Sequence, residues 1–130
     1  MGDLSKNFSR HEFACKCGCG ADEVSPKLIE TLQTLRTLTN SPITITSGRR
    51  CQSHNATVGG VANSQHVIGN AADVIVKGWA ASEVLKVLQV LVRAGALYVG
   101  YAYAVNDRVV HIDVREPESD AVKSWRAGVE

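Results

Sequence analysis

The sequence has few aromatic residues, almost no net charge and no long apolar segment. Aromatic side chains make up 5% of its 130 residues, and the formal net charge is +1. Proteins that bind nucleic acid usually present a basic surface or aromatic side chains that stack on bases, and this composition favours neither. No stretch is long and apolar enough to span a bilayer. We therefore expect no nucleic-acid partner and no insertion into a membrane.

Residues that build a hydrophobic core are plentiful, at 45% of the chain. A chain of this length and composition can bury one core without disulfides, so residues 1–130 are interpreted as a single domain, expected to be monomeric. Within it, residues 1–24 form an N-terminal arm that carries a cysteine cluster, and residues 117–130 form a charged tail.

The order of predicted elements mixes helices with strands and indicates an α+β fold. A cap at Ser25 followed by Pro26 predicts a helix that reaches Thr39, and Gly95 is placed to end a second helix that begins near Ala80. Alternating, β-branched sequence predicts the strands. They are expected at Ile43–Ser47, Asp73–Val76, Leu97–Tyr101, Tyr103–Val105 and Arg108–Val114. Residues 51–63 are expected to form a long loop.

The strongest chemical signal is the segment from Ser64 to Asp73, which contains two good metal ligands. Gly69 argues against an uninterrupted helix, so the segment is predicted to be a turn carrying His66 that leads into a strand opened by Asp73. A neutral imidazole and an ionised carboxylate are ordinary Zn²⁺ ligands. A third ligand is still needed.

The third ligand is predicted in the last strand. His111 and Asp113 alternate with Val110, Ile112 and Val114, so the two polar side chains share one face of the strand. Three protein ligands with an open fourth position are typical of a catalytic zinc rather than a structural one.

A second metal site is one of three states open to the cysteines Cys15, Cys17, Cys19 and Cys51. Four thiols suffice for a structural Zn²⁺, although Cys-x-Cys-x-Cys is not the usual Cys-x-x-Cys spacing. Free thiols are expected for a protein made in a reducing compartment, and disulfides are the third possibility. In each state the cluster and Cys51 would hold the N-terminal arm beside the predicted site.

The ordered set of motifs resembles the M15 zinc peptidases, in particular the short subfamily common in phages and prophages. Ser64-x-His66-x-x-Gly69-x-Ala71-x-Asp73 is followed later by His111-x-Asp113. Three further segments match the pattern: residues 8–13 (Phe-Ser-Arg-His-Glu-Phe), residues 46–50 (Thr-Ser-Gly-Arg-Arg) and His54-Asn55. The resemblance covers about residues 7 to 115 and implies the hedgehog/DD-peptidase fold, a small, mostly antiparallel sheet with helices packed on one side.

The resemblance also implies a function: zinc-dependent hydrolysis of peptidoglycan peptide bonds that involve D-amino acids. Such an enzyme would be a D,D-carboxypeptidase or an endopeptidase, including an L-alanyl-D-glutamate endopeptidase. Arg50 matches the family arginine thought to bind a carboxylate or carbonyl of the substrate, although Arg49 beside it is a second candidate. Ser64 and His54 are candidate substrate contacts.

Two assignments of His111 and Asp113 stay open under this resemblance. The favoured one makes His111 the third zinc ligand and Asp113 the catalytic base, because imidazole is the commoner zinc ligand. The other makes Asp113 the ligand and His111 the catalytic helper.

The resemblance extends to a non-enzyme alternative and to a location. Hedgehog signalling domains share the fold, so a non-catalytic, zinc-containing module that binds the cell wall is the second hypothesis. Met1 to Asn7 lack the apolar core of a secretory signal. This predicts a protein made in the cytoplasm that reaches the wall after release, as in phage lysis, or as part of a virion.

Overall fold

The computed structural model describes residues 2–61 and 64–115. A short 3-10 helix at Arg10–Phe13 precedes α1 (Pro26–Thr39), β1 (Ile43–Ser47), α2 (Gln52–Thr57), β2 (Ala71–Val76), α3 (Ala81–Arg93), β3 (Tyr101–Ala104) and β4 (Val109–Asp113). The strands form one sheet in the order β1–β2–β4–β3, and every neighbouring pair is antiparallel. The predicted α+β class with a small antiparallel sheet is confirmed.

The first helix begins and ends where the sequence places it. The Ser25 hydroxyl accepts a hydrogen bond from the backbone N–H of Lys27 at 3.2 Å, and Pro26 occupies the first helical position. Asn40 ends the helix in the left-handed conformation, with φ of 49°. A polar cap and a φ-restricted proline stabilise the N-terminus, and asparagine tolerates the positive φ better than most residues.

The core lies between the two long helices and one face of the sheet. Alternate positions of the strands contribute to this face: Ile43, Ile45, Ala72, Val74, Val76, Ala102, Val110 and Ile112. Leu28, Leu32 and Leu35 from α1 and Val84 and Leu88 from α3 pack against them. Leu38, one turn after Leu35, is 56% exposed, so the buried face of α1 ends before it.

The opposite face of the sheet carries the polar side chains. In the pairing of β2 with β4, Asp73 lies directly opposite His111, and in the pairing of β3 with β4, Tyr103 lies opposite the same histidine. Because side chains alternate along a strand, the apolar neighbours of these residues enter the core. Folding the core therefore places Asp73 and His111 together on the outer face.

Two sequence predictions about elements were wrong. Residues 51–63 were expected to be a loop, but Gln52–Thr57 form α2, whose first turn is capped by the Cys51 sulfur accepting from the N–H of His54. Two strands were expected at Leu97–Tyr101 and Tyr103–Val105, but the structure has a single strand there, β3 at Tyr101–Ala104. The carbonyl of Tyr98 accepts from the Thr31 hydroxyl of α1 at 2.6 Å, and the N–H of Gly100 donates to the carbonyl of Asp113 in β4 at 2.8 Å, just before β3 begins.

The tail predicted at 117–130 lies outside the described residues. Within the described ranges, each helix is too short or too polar to cross a membrane.

Candidate metal centre

The three side chains predicted to bind metal meet on the polar face of the sheet. His66 lies in the turn that precedes β2, Asp73 in β2 and His111 in β4. His66 Nε2 is 3.2 Å from Asp73 Oδ1, and His111 Nδ1 is 3.0 Å from the same oxygen. One ligand atom from each residue lies within 4.8 Å of the others. We call these three residues the metal triad.

In each imidazole of the metal triad, the ring nitrogen that does not contact Asp73 makes a hydrogen bond to a second group. His66 Nδ1 is 2.8 Å from the carbonyl oxygen of Gly48, and His111 Nε2 is 2.8 Å from Asp113 Oδ2. A carbonyl and an ionised carboxylate only accept hydrogen bonds, so these ring nitrogens are the donors. His66 Nε2 and His111 Nδ1 are then left to offer their lone pairs to a metal. Such outer partners fix the tautomer and orientation of metal-binding histidines.

The donor set and its spacing fit a zinc ion. With Zn–N and Zn–O distances of about 2.0–2.1 Å, two tetrahedral donors lie about 3.3–3.4 Å apart. The 3.2 and 3.0 Å separations between Asp73 Oδ1 and the two histidine nitrogens are close to this value. Two imidazoles and one carboxylate leave the fourth position open for water or substrate.

The electrostatics of the metal triad also favour a cation. Burial alone would raise the pKa of Asp73, but the neighbouring His111 and His66 outweigh it and hold that pKa well below its ordinary value. Burial would lower the pKa of His111, whereas the carboxylates of Asp113 and Asp73 raise it. An ionised carboxylate therefore lies at the centre of the triad, where a divalent cation needs it.

Asp113 lies behind His111 and points away from solvent. Its side chain is fully buried, and it accepts hydrogen bonds from Arg115 Nη2 at 2.6 Å and Arg115 Nε at 3.0 Å, besides the one from His111. Burial would raise the pKa of Asp113, but His111 and Arg115 lower it overall. This carboxylate is therefore ionised and hydrogen-bonded to both His111 and Arg115.

Of the two adjacent arginines, Arg50 faces the metal triad. Its Nη2 is 3.7 Å from Asp73 Oδ2, and its Nε donates to the Ser47 hydroxyl at 3.1 Å. Its Nη1 donates to Asn55 Oδ1 at 3.2 Å. Arg49 turns the other way and donates to the carbonyl of Glu23. The guanidinium of Arg50 is thus oriented by two neutral acceptors, with the triad carboxylate nearby.

A cavity of about 320 Å³ opens above the metal triad. Its lining includes all three triad residues together with Arg50, Ser64, Tyr103 and Arg115. The Ser64 hydroxyl accepts from the backbone N–H of His66 at 3.2 Å, so this serine also shapes the turn that carries the ligand. The cavity offers cationic and hydroxyl groups to a polar substrate.

His54 lies elsewhere. It belongs to α2, where its backbone N–H bonds to Cys51, and it is not among the described residues that line the cavity. The structure thus brings Ser64 and Arg50 to the metal triad but not His54.

The four cysteines form a second cluster. Cys15 is buried, Cys51 is partly buried, and Cys17 and Cys19 are exposed. One sulfur from each lies within 4.8 Å of the others, and none is in a disulfide.

Sequence reasoning missed Arg115 and Tyr103. Arg115 continues the alternation of His111 and Asp113, so a period of two along the strand could have placed it on the polar face. Tyr103 stacks on His111, which depends on the register of β3 against β4. That register is not encoded in either segment alone.

The family assignment agrees with this geometry. A family model described as Peptidase M15 matches residues 6–113, a range that contains the whole metal triad. The chain belongs to the M15 peptidase family. Comparison with the curated proteins gave no match.

Among solved structures, the structure of this chain is similar to the crystal structure of the L-Ala D-Glu endopeptidase ChiX from Serratia marcescens. The TM-score is 0.52 at 16% sequence identity, over 71% of this chain and 80% of that chain. At this identity the similarity supports the fold alone.

Proposed function

We propose that this protein is a zinc-dependent peptidase that hydrolyses peptide bonds involving D-amino acids in bacterial peptidoglycan. The observation that carries the proposal is the convergence of His66, Asp73 and His111 beside Arg50 in an open cavity. Membership of the M15 peptidase family supports peptide hydrolysis. The substrate class is suggested by the name of ChiX, an L-Ala D-Glu endopeptidase of similar fold.

The metal triad would hold the ion, and the chain fixes each ligand in advance. When bound, zinc would supply Lewis-acid polarisation of the scissile carbonyl and lower the pKa of a water molecule. The carbonyl of Gly48 orients His66, and Asp113 orients His111. Because each ring is already hydrogen-bonded, little reorganisation is needed to bring the donor atoms together.

Arg50 is the proposed substrate-binding cation. A guanidinium is always charged and presents a fork that matches a carboxylate. In a terminal D-Ala-D-Ala, the leaving residue carries a free carboxylate next to the bond that is cut. Arg50 could hold that carboxylate or stabilise the oxyanion that develops during hydrolysis. Its hydrogen bonds to Ser47 and Asn55 fix the direction in which the fork points.

For Asp113 we infer a positioning role. A base must reach the attacking water directly or through one intervening water, but this carboxylate is buried and already bonded to His111 and Arg115. By accepting from His111 Nε2 it fixes the nitrogen that faces the metal triad and makes the imidazole a stronger ligand. The competing hypothesis, Asp113 as base, requires its side chain to leave Arg115 during catalysis.

One observation favours the second candidate function, a non-catalytic zinc-containing module that binds the wall. Among the described residues that line the cavity, Asp73 is the one carboxylate, and the two imidazoles belong to the triad. A separate proton acceptor for the water is therefore not among these residues. Binding of purified peptidoglycan without release of any fragment would support this candidate.

The proposal is tested by digesting purified peptidoglycan and analysing the fragments by mass spectrometry. We expect zinc-loaded protein to release peptides whose new ends identify the bond cut, and a chelator to stop the release. Loss of a terminal D-alanine would indicate a carboxypeptidase, and a free N-terminal D-glutamate an endopeptidase. An Asp73→Ala variant that releases the same fragments would overturn the proposal.

A further inference from the structure

The four cysteine sulfurs converge at a point where the N-terminal arm meets the loop that carries Arg50. Cys15 Sγ is 3.4 Å from Cys17 Sγ and 3.8 Å from Cys51 Sγ, and the last two are 3.6 Å apart. The Cys19 sulfur lies within 4.8 Å of the other three. The sulfurs of Cys15 and Cys51 are thus in contact, although the two residues are 36 positions apart in the sequence.

These separations match a tetrahedron of thiolates around one zinc ion. With Zn–S distances of about 2.3 Å, the edges of the tetrahedron are about 3.8 Å long. A disulfide would require a separation of about 2.05 Å. We propose that Cys15, Cys17, Cys19 and Cys51 bind a second, structural Zn²⁺ at a site separate from the metal triad.

The backbone around the cluster is shaped for this role. Gly18 and Gly20 have φ of +82° and +90°, which lets the chain turn after Cys17 and again after Cys19. The N–H of Cys15 donates to the carbonyl of Ala21 at 2.7 Å and closes this turn into a loop. These glycines explain how a Cys-x-Cys-x-Cys spacing can surround one centre.

Backbone N–H groups point at the sulfurs, as thiolate ligands require. The N–H of Cys51 lies 3.5 Å from Cys15 Sγ, and the N–H of His54 lies 3.4 Å from Cys51 Sγ. These two N–H groups would stabilise negative charge on the Cys15 and Cys51 sulfurs. A bound divalent cation would neutralise part of the charge that four thiolates bring.

The ion would fasten the N-terminal arm to the wall of the active-site cavity. Cys51 directly follows Arg50 and caps α2, which carries Asn55, one of the acceptors that orient the Arg50 side chain. The arm already touches this loop where the N–H of Arg49 donates to the carbonyl of Phe13 at 2.8 Å. Binding four sulfurs from both segments would fix the backbone on which Arg50 stands.

The experiment separates the two clusters by variants. Protein purified under reducing conditions is expected to contain two equivalents of zinc, and Asp73→Ala is expected to retain one. In Asp73→Ala, X-ray absorption at the zinc edge should give a shell of four sulfurs at about 2.3 Å. Cys17→Ser changes an exposed residue and is expected to lose one equivalent from the wild-type content. The matched control is Lys16→Ser, an exposed neighbour without a ligand atom, which should keep both.

Three results would overturn the second site: an Asp73→Ala protein without zinc, a zinc shell without sulfur, or a Cys17→Ser variant with unchanged zinc content. If the variants do not fold, the wild-type spectrum decides, because sulfur neighbours must appear in it beside nitrogen and oxygen. A protein that cleaves no peptidoglycan but shows the four-sulfur shell would refute the proposed function and leave the structural zinc standing.

Discussion

The ring of Tyr103 stacks on the imidazole of His111, with centroids 4.7 Å apart and planes inclined by 18°. The contact follows from the direct pairing of these residues between β3 and β4. Burial and the nearby charge of Asp73 raise the pKa of Tyr103, so its hydroxyl stays protonated and can donate to a substrate. The same side chain thus covers His111 with its ring and forms part of the cavity lining.

Two variants of Tyr103 separate the ring from the hydroxyl. Tyr103→Phe keeps the stacked ring and should leave the free energy of unfolding close to that of wild type. Tyr103→Ala should lower it by about 1 kcal/mol, since aromatic pairs contribute about 0.5–1.5 kcal/mol beyond their buried area. Urea unfolding checks both. A Tyr103→Ala protein as stable as Tyr103→Phe would show that the stacking contributes nothing.

The residues of the metal triad could be predicted from the sequence because the residues next to each of them indicate its structure. Asp73 lies in an apolar strand, and His111 alternates with Val110 and Ile112, so burial of the apolar neighbours determines which way both side chains point. The one long-range requirement was that β2 and β4 pair, and the resemblance to a known family supplied it. The fold class and the bounds of α1, β1 and α3 were accessible for the same local reasons.

The environment of Asp113 could not be predicted in this way. A strand pattern places it on the same face as His111, but not behind the imidazole and in the fork of Arg115. That position depends on the side-chain rotamers of Asp113 and Arg115, which lie where β4 ends. Helix α2 was not predicted for a similar reason. Its N-terminal cap is the Cys51 sulfur, and the position of this sulfur depends on contacts with the distant N-terminal arm.

Removing a ligand of the metal triad should lower zinc affinity more than removing a residue behind one. Outer partners typically change metal affinity about 10–100-fold, so the loss in His66→Ala should exceed that range. Thr44→Ala, at an exposed position of β1 that pairs with Ile75 and not with a residue of the triad, is the matched control and should bind zinc like wild type. Competition with a chelator of known affinity measures all three proteins. A His66→Ala affinity equal to that of the control would contradict the assignment.

Arg50 and Arg49 are adjacent and differ in direction, which makes them a matched pair. Arg50→Lys keeps the charge but loses the fork, and we expect kcat/KM for a peptidoglycan peptide to fall about 10-fold or more. Arg49→Lys should stay within about twofold, because Arg49 points to Glu23 and away from the cavity. Steady-state kinetics give the comparison. A larger loss in Arg49→Lys than in Arg50→Lys would reverse the assignment.

Gly69 shapes the turn between His66 and Asp73, and Gly78 provides a control for it. Both have positive φ, +78° and +84°, so alanine at either position costs about 1–2 kcal/mol from the backbone alone. A Cβ at Gly69 would lie 2.5 Å from the carbonyl oxygen of Glu23, whereas at Gly78 nothing lies within 4 Å. Gly69→Ala should therefore lose about 1–3 kcal/mol more stability than Gly78→Ala. Denaturant midpoints measure both, and equal losses would disprove the close approach.

Asp113→Asn distinguishes the roles considered for Asp113. If Asp113 positions His111, the amide holds the ring less well, and zinc affinity should fall about 10–100-fold together with kcat/KM. Restoring saturation with excess zinc should then recover much of the activity. If Asp113 is instead the base, zinc affinity should stay near wild type while turnover is lost at every zinc concentration, because an amide cannot accept the proton. His111→Ala completes the comparison: as a ligand variant it should lose more zinc affinity than Asp113→Asn. If Asp113→Asn loses more, Asp113 is the ligand and His111 the helper.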